Sequence, residues 1–189
     1  MSIRWAYRVW PIREHHEAYD IIKNAINKIV GHKDWEWIGS RINWQEMPSP
    51  KIHKDDAHAE DNPDNLRYTI SITLDKNYDA HTIIFNQTQY GNYHFDYFNY
   101  LNGEQHGQGE PGEEVNDLED GFVISEEDYN KHLHHIPKEK LRGLSIKHAL
   151  QWGDNGDAVY FRSNNLHSPG ASIEGDYKVA AATLIKLYK

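Results

Sequence analysis

The stretch LRYTISITL, residues 66–74, carries an apolar side chain at every second position. In an extended chain alternate residues share a face, so this segment buries one side and wets the other only as a β-strand. A helix would scatter the same residues around its circumference. Trp35, Trp37, Ile42 and Trp44 also alternate with polar neighbours, and residues 81–87, 93–101, 157–163 and 177–188 read as further strands. Gly, Asn, Asp and Pro turns part these segments, which is the pattern of a sandwich or barrel.

Helical spacing is rarer. Ala18, Ile21, Ile22, Ala25, Ile26 and Ile29 recur every three and four residues, predicting one amphipathic scaffold helix over residues 14–30, ended by Gly31. The segment SEEDYNKHLHHIPKEKLRGLSIKHAL, from Ser125, reads as two short helices broken at Pro137. The expected class is therefore mostly β with a few flanking helices. The 189 residues contain no linker-like stretch, so a single domain over residues 1–189 is expected. No run is long and apolar enough for a signal peptide or a membrane span, and the expectation is a soluble cytoplasmic protein.

Composition restricts the chemistry. The chain has no cysteine, which excludes disulfides, thiolate metal sites and cysteine nucleophiles. Metal ligands must come from carboxylates and from the 13 histidines. A net charge of -9 with no basic cluster repels polyanions, so nucleic acid is not an expected partner. Part of the acid is concentrated in NGEQHGQGEPGEEVNDLEDG, residues 102–121, which reads either as a solvated insertion or as a lid over a site.

The pattern His-x-Asp matters because alternate residues on a strand can direct an imidazole and a carboxylate at one ion. It occurs as His32/Asp34, His53/Asp55 and His94/Asp96. His32 follows the helix-ending Gly31 and reads as a surface residue. His94 and Asp96 lie in an aromatic-flanked strand. His53 and Asp55 follow the proline-stiffened EMPSPKI and precede a polar loop that leads to the strand at 66, a place where a site is held rigidly yet open. They are the favoured pair, with His94/Asp96 as the alternative. His167 stands after the strand at 157–163, before a Ser-Pro-Gly turn. Lys178 opens the last strand, within reach of His167 across a hairpin, and period two groups it with Ala180 and Ala182 on one face.

Taken together, His53-x-Asp55, LRYTISITL with HTIIFNQ, the block WGDNGDAVYF at 152–161, the distal His167 and the basic Lys178 on the final strand resemble the iron(II)- and 2-oxoglutarate-dependent oxygenases. The resemblance spans roughly residues 52–187 and is most specific between 141 and 172. It implies a double-stranded β-helix, the jelly-roll or cupin-like barrel, with flanking α-helices. It further implies Fe(II) held by His53, Asp55 and His167, and 2-oxoglutarate whose distal carboxylate meets Lys178. Two imidazoles and one carboxylate leave three positions open on an octahedral ion, enough for a chelating keto acid and dioxygen. The implied reaction is hydroxylation, or a related oxidation, of an unactivated carbon in a small-molecule or peptide substrate, with 2-oxoglutarate converted to succinate.

The chain departs from the family pattern in three places. Lys178 and Ala180 stand where members usually carry Arg and Ser, Ala80-His81 stands where Gly-Gly often precedes the middle strand, and the interval from Asp55 to His167 is long. Two other classes compete. One is a cupin-type metal-binding barrel acting as a different dioxygenase or a sugar isomerase. The other is a non-catalytic carbohydrate or peptide binder, suggested by 6 Trp and 12 Tyr. Lys178 discriminates, since only a keto-diacid needs a buried cation there.

Overall fold

The period-two segments form the strands of two antiparallel sheets in a computed structural model, which describes residues 7–14, 16–31, 34–46, 51–55, 66–89, 97, 101 and 115–188. The larger sheet is built from β1 (Tyr7–Ile12), β2 (Trp35–Glu46), β3 (Leu66–Lys76), β7 (Ala158–Arg162) and β9 (Tyr177–Leu187), in the order β1-β2-β9-β3-β7. In the smaller sheet β4 (His81–Gln89) is central, paired with β5 (Val115–Asn116), β6 (Ile146–Gln151) and β8 (Asn165–Pro169). The two sheets share no strand among the described residues. β1 was not expected from the sequence, because its single edge ladder to β2 leaves only a short, weakly patterned segment.

One face of the large sheet packs on the helix α1 (Glu17–Val30), and bulges decide which residues reach it. In β2 the apolar positions change from odd (Trp35, Trp37) to even (Ile42, Trp44). A register shift between Trp37 and Gly39 inserts one residue there, so Trp35, Trp37 and Ile42 all join the same apolar cluster. In β3 a second shift between Thr73 and Asp75 breaks the alternation. Leu74, expected on the buried face, is exposed, while Ile70 and Ile72 are buried.

The helix starts at Glu17, three residues later than expected. His16 holds a β conformation and its Nδ1 accepts the Ala18 N–H at 3.1 Å. It ends where Gly31 takes φ 70°. Ile22 and Ile26 are buried, but Ile21, expected on the same face, is 71% exposed. One residue along a helix rotates a side chain by about 100°, which carries Ile21 off the buried stripe. Ile26→Ala is therefore expected to cost about 2–5 kcal/mol in urea unfolding, and Ile21→Ala less than about 0.5 kcal/mol. Equal losses would mean that α1 docks through a different face.

The outer face of the small sheet, with Ile83, Phe85 and Leu166, is covered by Leu133, Ile136, Leu141 and Leu144. These come from the segment expected to form two helices. It holds a helical turn, Glu126–Asp128, that continues as a π turn, Tyr129–Leu133, and after Pro137 a 3-10 turn, Lys138–Leu141. Its last part was misassigned. Gly143, at φ 80°, turns the chain, and Ile146–Gln151 becomes β6 on the edge of β4.

Residues 93–101 were expected to form a strand, yet Tyr97 and Leu101, the positions described, are helical. Tyr97 is fully buried in the same cluster, and its hydroxyl donates to the Arg142 carbonyl. Anchoring this one ring outweighs the β propensity of its aromatic neighbours. His94 and Asp96 lie outside the described residues, as do positions 102–114 of the acidic stretch. Its remainder is docked: Val115 is buried, β5 pairs with β4, and Gln87 Nε2 donates to the Asp117 carbonyl at 2.7 Å. Among the described residues no helix is long and apolar enough to cross a membrane.

Candidate metal centre

His167 was expected in a turn beyond the strand at 157–163. The chain instead turns at Ser163 and Asn164 and returns as β8, with His167 in mid-strand and only 5% exposed. One side of β8 pairs with β4; the other meets residue 53 in an isolated antiparallel bridge. The His53 N–H donates to the His167 carbonyl at 3.0 Å, and the His167 N–H donates back at 2.9 Å. Residues directly opposite in such a pair project to the same side. The two imidazole centroids are accordingly 4.4 Å apart.

Asp55, two residues beyond His53, lies on the same face, and its N–H is tied to the Ser163 carbonyl at 3.2 Å. Its Oδ1 lies 3.6 Å from His53 Nε2, and its Oδ2 lies 3.4 Å from His167 Nε2. One ligand atom from each of the three residues falls within 4.8 Å of the others. The expected His53, Asp55 and His167 are thus brought together.

The electrostatics favour a cation at this point. Burial by itself would raise the Asp55 carboxyl, but His167 and His53 hold it well below the usual carboxylate range, so it is ionised. Burial and the neighbouring His167 push the His53 imidazole below its ordinary value, toward the neutral form that ligates metals. The orientation of the His167 ring follows from its partner: Nδ1 lies 3.2 Å from the Asn165 carbonyl, which only accepts, so Nδ1 carries a proton and Nε2 is the ring atom that faces Asp55. Phe161 packs on the same ring at a centroid distance of 4.8 Å.

Lys178 was expected beside His167 across a hairpin. That pairing does not occur, because β9 lies in the large sheet between β2 and β3, and β8 belongs to the small one. Lys178 still shares a face with Ala180 and Ala182, as period two requires, and this face is turned away from α1. Across the neighbouring strands Lys178 is in register with Gln45 and Lys76, Ala180 with Asn43 and Thr73, and Ala182 with Arg41 and Ser71. Lys178 is 8% exposed, with Nζ 4.3 Å from the ring centroid of Trp152. The indole N–H of Trp152 donates to Thr82 Oγ1 at 2.9 Å. Burial pushes the Lys178 ammonium down to about 8, with Asp55 pulling the other way.

Sequence reasoning missed two residues of this site. Trp152, which the sequence shows only as the head of the block WGDNGDAVYF, is the surface on which the buried ammonium rests. Arg41 lies on the Ala182 row of the large sheet with Nη2 4.0 Å from Asp55 Oδ1. The alternation of β2 was a usable signal, since Arg41 and Asn43 fall opposite Ile42 and Trp44 in phase.

The donor set fits a borderline transition-metal ion. Two ligand atoms about 2.1 Å from an ion and at right angles lie about 3.0 Å apart. The observed 3.4 and 3.6 Å, to the two different oxygens of Asp55, are wider by about half an ångström, and the full set of three ligand atoms, within 4.8 Å of one another, has to draw together by side-chain rotation to enclose an ion. Set against models of known protein families and against curated proteins, the chain matches none.

Proposed function

We propose that the protein is an iron(II)- and 2-oxoglutarate-dependent oxygenase that hydroxylates, or otherwise oxidises, an unactivated carbon of its substrate. The observation that carries this reading is the meeting of His53, Asp55 and His167 on one face, with one ligand atom from each within 4.8 Å of the others, opposite a sheet that carries the buried cation Lys178. The order of the strands supports a double-stranded β-helix: β2-β9-β3-β7 forms one sheet, and residue 53, β8, β4 and β6 follow one another in the other. Two imidazoles and a carboxylate on one side of an octahedral ion form the set used by non-haem iron oxygenases.

Bound Fe(II) and 2-oxoglutarate supply the redox chemistry: one oxygen atom of dioxygen goes to the substrate carbon, the other to succinate, and carbon dioxide leaves. The residues of the chain do the rest. Asn165 orients the His167 ring, and the His53–His167 bridge fixes the spacing of the two imidazoles. Ala180 and Ala182 put only methyl groups on the row that runs from Arg41 to Lys178, with Ser71 and Thr73 in register beside them. Lys178 Cα is four residues from the Ala182 row, about 13 Å along the strand. Its side chain is long enough to meet the distal carboxylate of a five-carbon diacid chelated near the triad. Phe161 packs on the His167 ring and Trp152 on the Lys178 ammonium, which shields those two groups from water.

Anaerobic addition of Fe(II) and then 2-oxoglutarate is expected to produce a visible charge-transfer band, and admission of air to produce succinate. Metal binding without any response to 2-oxoglutarate would favour the cupin-type metal barrel. Binding of neither would leave a non-catalytic module.

A further inference from the structure

On the oxygenase reading 2-oxoglutarate engages Lys178, which leaves Arg41, the cation nearest the triad carboxylate, without an assigned role. Lys178 is buried, whereas the Arg41 side chain is 43% exposed at the opposite edge of the triad. Its Nη2 stands 4.0 Å from Asp55 Oδ1, an ion-pair distance beyond hydrogen-bonding range, so its N–H donors are not used by that carboxylate. Among the described residues the guanidinium makes no other polar contact. In register beside it are Pro11 on β1 and Ala182 on β9, neither of which offers a competing side-chain acceptor.

We propose that Arg41 anchors a carboxylate of the substrate, so that the substrate is a small organic acid oxidised only a few bonds from that group; the inference rests on the oxygenase reading above. A planar guanidinium with free N–H groups matches a carboxylate in two parallel hydrogen bonds of about 2.8 Å. The distance sets the size of the substrate. A metal-bound Asp55 oxygen lies about 2.1 Å from the ion, which puts Nη2 within about 6 Å of it. A carboxylate held there leaves room for only a short carbon chain before the oxidised position. In a chain of net charge -9, an anion gains nothing from the overall field and needs a local cation of this kind.

The test uses the full-length protein with Fe(II) and 2-oxoglutarate bound anaerobically, and a panel of free amino acids and short dicarboxylic acids, each paired with its carboxamide. The readouts are the perturbation of the visible band and, in air, the rate of succinate formation. At least one acid is expected to shift the band and to speed succinate formation tenfold or more, while its carboxamide does neither. Arg41→Met should raise the acid concentration needed for half-maximal band shift at least 30-fold, and Arg41→Lys less, because an ammonium keeps the charge but loses the fork. Affinities for Fe(II) and 2-oxoglutarate, read separately, should stay within about twofold in both variants.

Equal responses to acids and carboxamides would overturn the proposal, as would a panel in which no acid acts on protein that binds Fe(II) and 2-oxoglutarate. Weakened Fe(II) binding in Arg41→Met would make it a positioning residue for Asp55. Weakened 2-oxoglutarate binding would assign it to the cosubstrate. A missing band in the unmodified protein rejects the oxygenase reading itself, and the anchor with it.

Discussion

His167→Ala is expected to lower Fe(II) affinity by about 100-fold or more and to abolish succinate formation. Two remaining ligands hold neither the geometry nor the affinity of three, and losing a direct ligand should exceed the 10–100-fold typical of lost outer-shell partners. Because His167 is buried in mid-strand, truncation could also loosen β8, so Asp55→Asn serves as the companion. The amide keeps the shape and the backbone link to Ser163 but removes the charge that the two imidazoles stabilise. Both variants should keep cooperative thermal unfolding while losing the metal, measured by anaerobic titration. His94→Ala should bind Fe(II) as the unmodified protein does. If His94→Ala loses the metal and Asp55→Asn retains it, the centre has been assigned to the wrong His-x-Asp.

The second large effect concerns Lys178. Lys178→Ala is expected to weaken 2-oxoglutarate binding by about 30-fold or more, since removing one partner of a buried charge pair costs about 2–5 kcal/mol. Fe(II) affinity should change little. Lys178→Arg should recover part of the loss, limited by the larger guanidinium in a space shaped by Trp152 and Ala180.

The pH dependence has a definite sign. Burial pushes Lys178 down to about 8, and a diacid binds only the protonated form. Affinity should be flat below that value and fall by up to about tenfold per pH unit above it, until the pKa in the complex is reached. The groups around the ammonium do not reverse this. Gln45 does not titrate, Asp55 stays ionised, and His81 is pushed toward its neutral form by burial. An arginine does not titrate in this range, so the fall should vanish in Lys178→Arg. Isothermal titration with a redox-inert divalent metal in place of iron measures all three proteins. Unchanged affinity in Lys178→Ala would transfer the cosubstrate carboxylate to Arg41 or Arg67. Arg162 is a poorer substitute, because it is in register with Tyr68 and shares the face that packs toward α1.

Much of the architecture was legible because side-chain period is a local property. Alternation in residues 66–74 and 177–188 correctly gave β3 and β9, and the spacing of Ile22 and Ile26 gave α1. Failures cluster where a local preference met a stronger non-local demand. Residues 146–151 look helical in isolation, yet the open edge of β4 offers them a ladder after the turn at Gly143. Residues 165–169 look like a turn, yet their backbone groups are paired with β4 and His53, which makes β8 one of the most buried strands. Around residue 97 a run of aromatics suggested a strand, and the burial of Tyr97 overrode it.

By itself the sequence determined the class of the fold, the chemistry open to it and the faces of its strands. Without cysteine the ligands had to be imidazole and carboxylate, and two-residue spacing alone places His53 with Asp55 and Lys178 with Ala180 and Ala182. Only the tertiary structure decided which faces meet. The bridge between residues 53 and 167, the placement of Lys178 on the opposing sheet, and the approach of Arg41 to Asp55 all join positions far apart in the chain. Period assigns a residue to a side of its own strand; strand order, register and bulges are set by which ladders and apolar faces the whole chain can bury together, and no short window of sequence contains that competition.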